Sequence, residues 1–546
     1  MNNIHPIVAA LLKKRGITQP EAMAEFLSDR PKATYDPFLF RDMEASVETI
    51  ARTARDGGRI CIYGDYDADG VTATTIMMTV LRQLTDKVDY YIPSRFREGY
   101  GLNKDAITSI RGEGADLLIT VDNGSAFPEE VAHARECGLE VVVTDHHSIG
   151  EAQADCLMIN PKQKDSGYPF PYLAGCGVAY KVAQALQRKG YFEHSLLARL
   201  LDLVAVGTIG DVVPLVDENR TLVKYGLCEI NSGNRLSLKL FEEVIPLTPG
   251  SIDAESVSFG IVPRINAAGR MKTADIGVKL LLSEDINDIR LNALIMQGYN
   301  EKRREEQDKT YDVCMQLMEE QCPDSLFPVI RAEHAHEGIT GIVAGKIRET
   351  IKKPVIIVTP TGNGLLKGTG RCIESLDLYQ IMKQHQPLYI KFGGHKGACG
   401  FTMEEKNLDK LRKALHEDLA AMDPTALQET TRFDLPIDAE QISLETIRSL
   451  SVLEPFGAGN PRPVFLLRAM TVQSVRRMGS RGQHARLHLL DSSGTPVEVI
   501  LFSRAGEYEE LLQQGRRIHV AGSLSINSFQ GRDTPQMEAV DMKAAD

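Results

Sequence analysis

The chain has 546 residues, 43% of them hydrophobic and 25% charged, with a formal net charge of −12. One hydrophobic core stops growing well short of that length, so three or four domains are expected, and the composition excludes extensive disorder. The acidic balance has the wrong sign for a protein that coats duplex nucleic acid through Lys and Arg, so a polynucleotide would have to meet a local basic groove or bound cations.

Residues 1–16 hold no long apolar run and no small-residue cleavage site, and nowhere do about 18 apolar residues follow one another without a charge. Neither export nor a membrane partner is expected. The nine cysteines (Cys61, Cys137, Cys156, Cys176, Cys228, Cys314, Cys322, Cys372, Cys399) are scattered and never spaced as CxxC. That pattern fits a reducing cytoplasm and excludes a zinc ribbon.

In chain order, residues 59–63 (RICIY), 117–121 (LLITV) and 140–144 (EVVVT) are short runs rich in β-branched residues, each ending in polar or acidic side chains, with helical patterns between them. This rhythm predicts parallel βαβ units with the chemistry at the carboxyl ends of the strands. Residues 286–320 lack Pro, hold one Gly and are dense in Glu, Lys and Arg, which predicts a long connecting helix whose charges form a solvated face, with a basic clamp as the functional alternative. FPVIRAEH, PVIIVTP and LLKGTGR then predict strands of a second α/β unit, followed by a helix over 408–422. From about 430 the segments MTVQSVRR, ARLHLLD, PVEVILF, RRIHVAG and QMEAVDM alternate between Gly/Ser turns, as in a small β-barrel of the OB type.

Four short motifs carry acids or imidazoles. GDYDADG places Asp65, Asp67 and Asp69 at alternate positions between a strand and a helix, where they repel one another unless a cation neutralises them. An EF-hand begins in the same way, but it needs a preceding helix and a bidentate Glu at its twelfth position; a strand precedes here and that position is Ile76. VDNG puts Asp122 at a second strand end, TDHH puts Asp145, His146 and His147 at a third, and VGTIGDVVPL carries Asp211 just beyond an apolar helix. Alone, VDNG reads as a structural turn and Asp211 equally as a cap, whereas Asp-His-His at a strand end is less easily dismissed. In a parallel sheet their strand ends converge, and mostly carboxylate ligands with an imidazole favour Mg2+ or Mn2+ over zinc. Two such ions roughly 3.5 to 4 Å apart hydrolyse phosphodiesters.

In this order the motifs resemble the RecJ branch of the DHH phosphoesterase superfamily, named for the Asp-His-His triplet. The likeness extends through PSRFREGYGL (Pro93 to Leu102), PRINAAGR (Pro263 to Arg270), GITGIVAGKI (Gly338 to Ile347), GGHKGACG (Gly393 to Gly400) and EPFGAGNPRP (Glu454 to Pro463). It implies an α/β protein with an N-terminal helical segment (1–45), a DHH parallel-sheet catalytic domain (46–285), a connecting helix (286–322), a DHH-associated α/β substrate-binding domain (323–428) and an OB-like nucleic-acid-binding barrel (429–546). It implies a 5′→3′ exonuclease specific for single-stranded DNA, acting in recombination and repair with two Mg2+ or Mn2+ ions. A single-strand-binding protein and a RecQ-type helicase are the implied partners, and a monomer is expected.

By the same resemblance Asp65 and Asp122 hold one metal, and Asp67, Asp122, His146 and Asp211 the other. Asp69 handles protons or supports the ligands, His147 meets the scissile phosphate, and Asp145 orients the histidines. Many members have His where this chain has Cys61, which implies a weaker Asp65 site. Arg264, Asn266, Arg270 and Arg371 are candidates for the terminal 5′ phosphate, since the planar guanidinium grips phosphate bidentately. Arg95 and Arg97 are candidates for the entering strand, and Gly394 and His395 for a phosphate-binding Gly-rich turn. In the barrel, Arg476, Arg477, Arg481 and Arg486, with Arg516, Arg517 and His519, outnumber the aromatics Phe502 and Phe529, so backbone electrostatics should outweigh base stacking. The rival readings are a hydrolase of cyclic dinucleotides or short oligoribonucleotides, and a non-catalytic relative that binds DNA in the eukaryotic replicative helicase.

Overall fold

A computed structural model describes residues 4–95, 97–150, 152–427 and 430–545. The expected boundary at 428/429 lies outside the described residues. The chain forms two compact units, one of Met1–Pro93, Glu98–Val262 and Thr431–Asp546, the other of Ser94–Arg97 and Pro263–Thr430.

In the first unit, β1 (Arg59–Tyr63), β2 (Val88–Tyr91), β3 (Ala115–Val121), β4 (Glu140–Thr144) and β5 (Leu157–Ile159) form a parallel sheet in the order β2-β1-β3-β4-β5. β1 and β4 are exposed only at their first residue. Near-continuous apolar runs of this kind suit strands covered on both faces. One face packs on a cluster that includes Ile107, Leu118, Val131 and Val143. On the other side the helices Ala68–Leu81, Gly175–Arg188 and His194–Gly210 pack on one another. Lys181 and Glu218, both fully buried, pair at 2.5 Å beneath this layer.

The same unit holds a second core. Six strands, β11 (Leu435–Ile437), β12 (Phe465–Met478), β13 (His484–Leu490), β14 (Pro496–Leu501), β15 (Arg517–Phe529) and β16 (Arg532–Ala544), run in the order β11-β12-β13-β14-β16-β15, and pairing of β12 with β15 closes a five-stranded barrel. Val8, Leu11 and Leu12 of the helix Pro6–Lys14 are buried in the barrel's cluster with Phe465, Leu487 and Val520. The first helices therefore complete the core of the last domain, a contact that no local sequence pattern announces.

In the second unit, β6 (Val329–Arg331), β7 (Val355–Gly362), β8 (Leu365–Arg371), β9 (Tyr389–His395) and β10 (Ala398–Glu404) make a mixed sheet in the order β6-β7-β8-β10-β9. The predicted long helix is Ile286–Gln321, and its buried residues Ile289, Ala293, Met296 and Asn300 share one face. The longer stretch of this unit starts at Pro263, because the helices Val262–Met271 and Asp275–Leu282 precede the long helix and the second of them packs against it. No helix among the described residues is long and apolar enough to cross a membrane.

Candidate metal centre

Asp65 follows β1, Asp122 follows β3, and Asp145, His146 and His147 follow β4. These are neighbouring strand ends on either side of the point where the strand order reverses, where parallel sheets open their ligand crevices. Asp211 reaches the same crevice as the C-cap of the helix His194–Gly210. Asp67 is the N-cap of the helix Ala68–Leu81, accepting from the N–H groups of Asp69 (3.0 Å) and Gly70 (3.1 Å).

Asp69 is gripped from a distance in sequence. Its carboxylate accepts from the backbone N–H groups of Gly175 (2.6 Å) and Cys176 (2.8 Å), at the first turn of the helix Gly175–Arg188, where the helix dipole favours an anion. A Cβ on Gly175 would stand 2.6 Å from that of Asp122, so only glycine lets this helix approach. Asp122 itself has φ 60, a left-handed backbone that Asp tolerates better than most residues.

His146 Nε2 lies 3.1 Å from Asp122 Oδ1, 3.5 Å from Asp211 Oδ2 and 3.8 Å from Asp69 Oδ2. Ligand atoms of Asp65, Asp67 and Asp122 lie within 4.8 Å of one another, as do those of Asp69, His146 and Asp211, and those of Asp122, His146 and His147. The geometry thus differs from the resemblance in detail: Asp67 sits with Asp65, and Asp69 with His146 and Asp211.

Burial and the charges of Asp69, Asp67, Asp65 and Asp211 push the Asp122 carboxyl well above the usual range. Burial, with Asp69 and Asp67, raises Asp211 to about 8. Burial lowers His146 to about 4, which keeps it neutral and fit to ligate. Asp122 Oδ1 and both ring nitrogens of His146 are buried without a hydrogen-bond partner. Crowded carboxylates beside an unpartnered neutral imidazole fit divalent cations, which would neutralise the acids and take up the free lone pairs.

Asp145 bonds the backbone of both histidines and the ring of His147. Its Oδ1 accepts from His147 Nδ1 (2.8 Å) and from the N–H groups of His146 (2.7 Å) and His147 (3.0 Å), while Oδ2 accepts from Ser125 N–H (2.9 Å). Burial opposes the charge on His147, but the bond to Asp145 and the surrounding acids outweigh it and raise His147 to about 9. Tyr100, which the sequence reading passed over inside its PSRFREGYGL motif, meets the His147 ring edge-on at 5.6 Å. Cys61 is buried in the apolar cluster with Leu118 and Tyr63, its thiol pushed up to about 12 by burial, and takes no part in the ligand groups.

The candidate phosphate residues gather in the second unit, which includes Arg95 and Arg97. Arg270 donates to the Gly338 carbonyl (2.9 Å), and Arg371 Nη2 comes so close to Gly341 that a Cβ there would stand 3.0 Å away. Both arginines therefore converge on the first turns of the helix Glu337–Ile351, where Gly338 and Gly341 leave room for them. Arg264 is 6% exposed and bonds Gln297 (2.8 Å); burial and nearby Arg304 depress it, and Arg303 is depressed by burial, Arg304 and Arg264. These cations crowd around Arg303 on the long helix, as the alternative of a basic clamp would have them. Asn266 lies half-buried between Arg264 and Arg270 on the helix Val262–Met271.

GGHKGACG is the β9–β10 hairpin, with exposed His395 at its turn. A Cβ on Gly394 would meet the Ala398 carbonyl at 2.5 Å, so Gly394 serves packing, whereas Gly393 meets nothing within 4 Å and faces open space. In the barrel, Arg476 stands opposite Arg486 across β12 and β13; Arg486 pairs with Glu498 at 3.0 Å and Arg477 with Glu509. Phe502 and Phe529 are both exposed.

Residues 59–208 match the DHH family, N-terminal domain; residues 326–421 match the DHHA1 domain, and residues 433–541 the RecJ OB domain. The chain is 37% identical over 544 residues to the single-stranded-DNA-specific exonuclease RecJ of Bacillus subtilis, covering 98% of this chain and 67% of that protein. It is 34% identical over 562 residues to the RecJ of Salmonella typhimurium, covering 98% and 95%. The structure of RecJ from Thermus thermophilus in complex with Mn2+ matches with a TM-score of 0.84 at 30% identity, over 100% of this chain and 76% of that one; the complex with Mg2+ gives 0.77 at 27% identity, over 100% and 75%.

Proposed function

The chain belongs to the RecJ family of single-stranded-DNA-specific exonucleases, and from that premise we propose that it degrades unpaired DNA processively from the 5′ end at a centre for two divalent ions. The observation that carries the reading is the gathering of Asp65, Asp67, Asp69, Asp122, His146 and Asp211 around unpartnered buried ligand atoms.

Asp65, Asp67 and Asp122 would hold one ion, and Asp122, His146 and Asp211 the other, with Asp69 beside the second set. Bound Mg2+ or Mn2+ supplies a polarised phosphoryl group, a more acidic water and a stabilised leaving alkoxide. The chain's own residues do the rest. His147, tied through Nδ1 to Asp145, is left with Nε2 to meet a phosphoryl oxygen. Asp69, fixed by two backbone amides, holds its place in the ligand shell. Arg270 and Arg371, with Arg264 and Asn266, grip the terminal phosphate; Arg95, Arg97 and His395 guide the adjoining strand. Gly394 contributes by shaping the hairpin that presents His395. The barrel holds the strand farther out through its arginines.

The protein would act as a cytoplasmic monomer in recombination and repair, with a single-strand-binding protein and a RecQ-type helicase as partners. The test is digestion of matched single- and double-stranded DNA, end-labelled at 5′ or 3′, with and without Mg2+ or Mn2+. Early release of the 5′ label from single strands, only with metal, is expected. Intact single strands in millimolar Mn2+, or early loss of the 3′ label, would refute the proposal.

A further inference from the structure

The segment EPFGAGNPRP, Glu454 to Pro463, has no part in the chemistry above, yet it grips the loop that carries Asp211. The Leu215 N–H donates to the Ala458 carbonyl at 2.7 Å. A Cβ on Gly457 would stand 2.7 Å from Leu215 Cδ1, and one on Gly459 would stand 2.9 Å from Pro214 Cβ. Gly459 has φ 70, and the turn is closed by paired backbone bonds between Gly457 and Asn460 (3.0 and 3.1 Å).

The turn is itself anchored. Asn460, 1% exposed, donates to the carbonyls of Leu453 (2.9 Å) and Pro455 (2.8 Å) and accepts from Arg15, which also reaches the Pro461 carbonyl (2.7 Å). Arg220, 3% exposed, donates to the carbonyls of Phe26 (3.1 Å), Leu453 (3.1 Å) and Glu454 (2.7 Å), with its guanidinium 3.9 Å from the centre of the Phe26 ring. Three stretches far apart in the chain therefore meet at this turn.

The loop needs such an anchor. Val212, immediately after Asp211, is a β-branched residue at φ 58 whose side chain is 69% exposed. That backbone conformation is unfavourable for valine, and so exposed a side chain offers little packing to offset it. Strained conformations persist only where the surroundings impose them, and the contacts found on the Asp211–Val216 loop include those to Gly457–Asn460.

We propose that the Gly457–Asn460 turn is a positioning brace for Asp211, which sets the affinity of one of the two metal sites from the segment leading into the barrel. This rests on the metal-centre reading above. The brace touches neither substrate nor metal; it fixes the loop whose first residue is the ligand.

The test compares wild type, Gly457→Ala, Leu215→Ala and the double variant, titrating Mn2+ while free Mn2+ is followed by EPR. Melting temperature and binding of an oligothymidylate are measured alongside in EDTA. Gly457→Ala should weaken one of two Mn2+ sites about tenfold, as loss of support behind a metal ligand does, with oligonucleotide binding in EDTA unchanged. Leu215→Ala, which restores the space, should return the double variant towards wild-type Mn2+ affinity. Wild-type Mn2+ affinity in a folded Gly457→Ala protein would overturn the proposal, as would equal loss at both sites without rescue. If Gly457→Ala does not fold, Arg15→Gln, which releases Asn460, must weaken the same single site, and its failure to do so would also overturn the brace. A wild-type protein that binds no Mn2+ would sink the metal-centre reading instead.

Discussion

The carboxyl of Asp122 is crowded by four other aspartates, so in the absence of metal its ionisation works against the fold. Asp211 shares this burden, raised from 3.8 to about 8. The sign follows: in the folded protein these two groups keep protons that the unfolded chain releases near pH 4, so their contribution favours the metal-free fold most below that pH and is lost as the pH rises through 8. Asp122→Asn removes one of the repelling charges. Denaturation in EDTA at pH 8 should show the variant more stable by about 1.4 kcal/mol or more, one pKa unit's worth, while turnover in Mn2+ falls about 10³-fold or more. An asparagine variant less stable than wild type in EDTA would contradict the repulsion argument. Asp65, Asp122, His146 and Asp211 were legible in the sequence because each follows a strand or helix with an acid or imidazole, and Asp67 because it stands in an alternating acidic run that opens one. The grip on Asp69 was not, since its donors are backbone amides of Gly175 and Cys176, which carry no side-chain signature. Tyr100 was missed for another reason: an aromatic in a loop looks the same whether or not it faces a site.

At the scale of elements, β1 and β4 were readable to the residue because buried parallel strands leave uninterrupted apolar runs. The long helix was readable because nothing in 286–320 breaks one. What holds the helical layer in place was not. Glu218 accepts from Tyr168 (2.5 Å) as well as from Lys181, and Lys181 also donates to the Tyr35 carbonyl (2.7 Å). Both charges are fully buried, and neither stands out in its own helix. Lys181→Met leaves Glu218 desolvated and without its cation, a loss of about 3–5 kcal/mol in urea denaturation. Replacing both partners, as Lys181→Met with Glu218→Leu, should recover most of it. A double variant no more stable than the single one would show that the pair is not the reason these helices stay docked.

For the whole molecule, a net charge of −12 requires that a polyanionic substrate meet local cations. If Arg95, Arg97, Arg264, Arg270 and Arg371 each neutralise a phosphate, raising salt from 50 to 200 mM should weaken oligothymidylate binding roughly 100-fold, at a slope of about −0.7 per contact. Fluorescence anisotropy in EDTA reads this directly, and a flat salt response would remove the arginines from the interface. The helix Pro6–Lys14 is buried against the barrel, with Leu12 and Phe465 in one cluster. A ribosome delivers these two residues roughly 20 to 90 s apart at 5 to 20 residues per second. Throughout that interval the nascent chain carries a greasy helix with nowhere to dock, so a translation product cut short before the barrel displays the same surface permanently and becomes a natural client for chaperones and proteases.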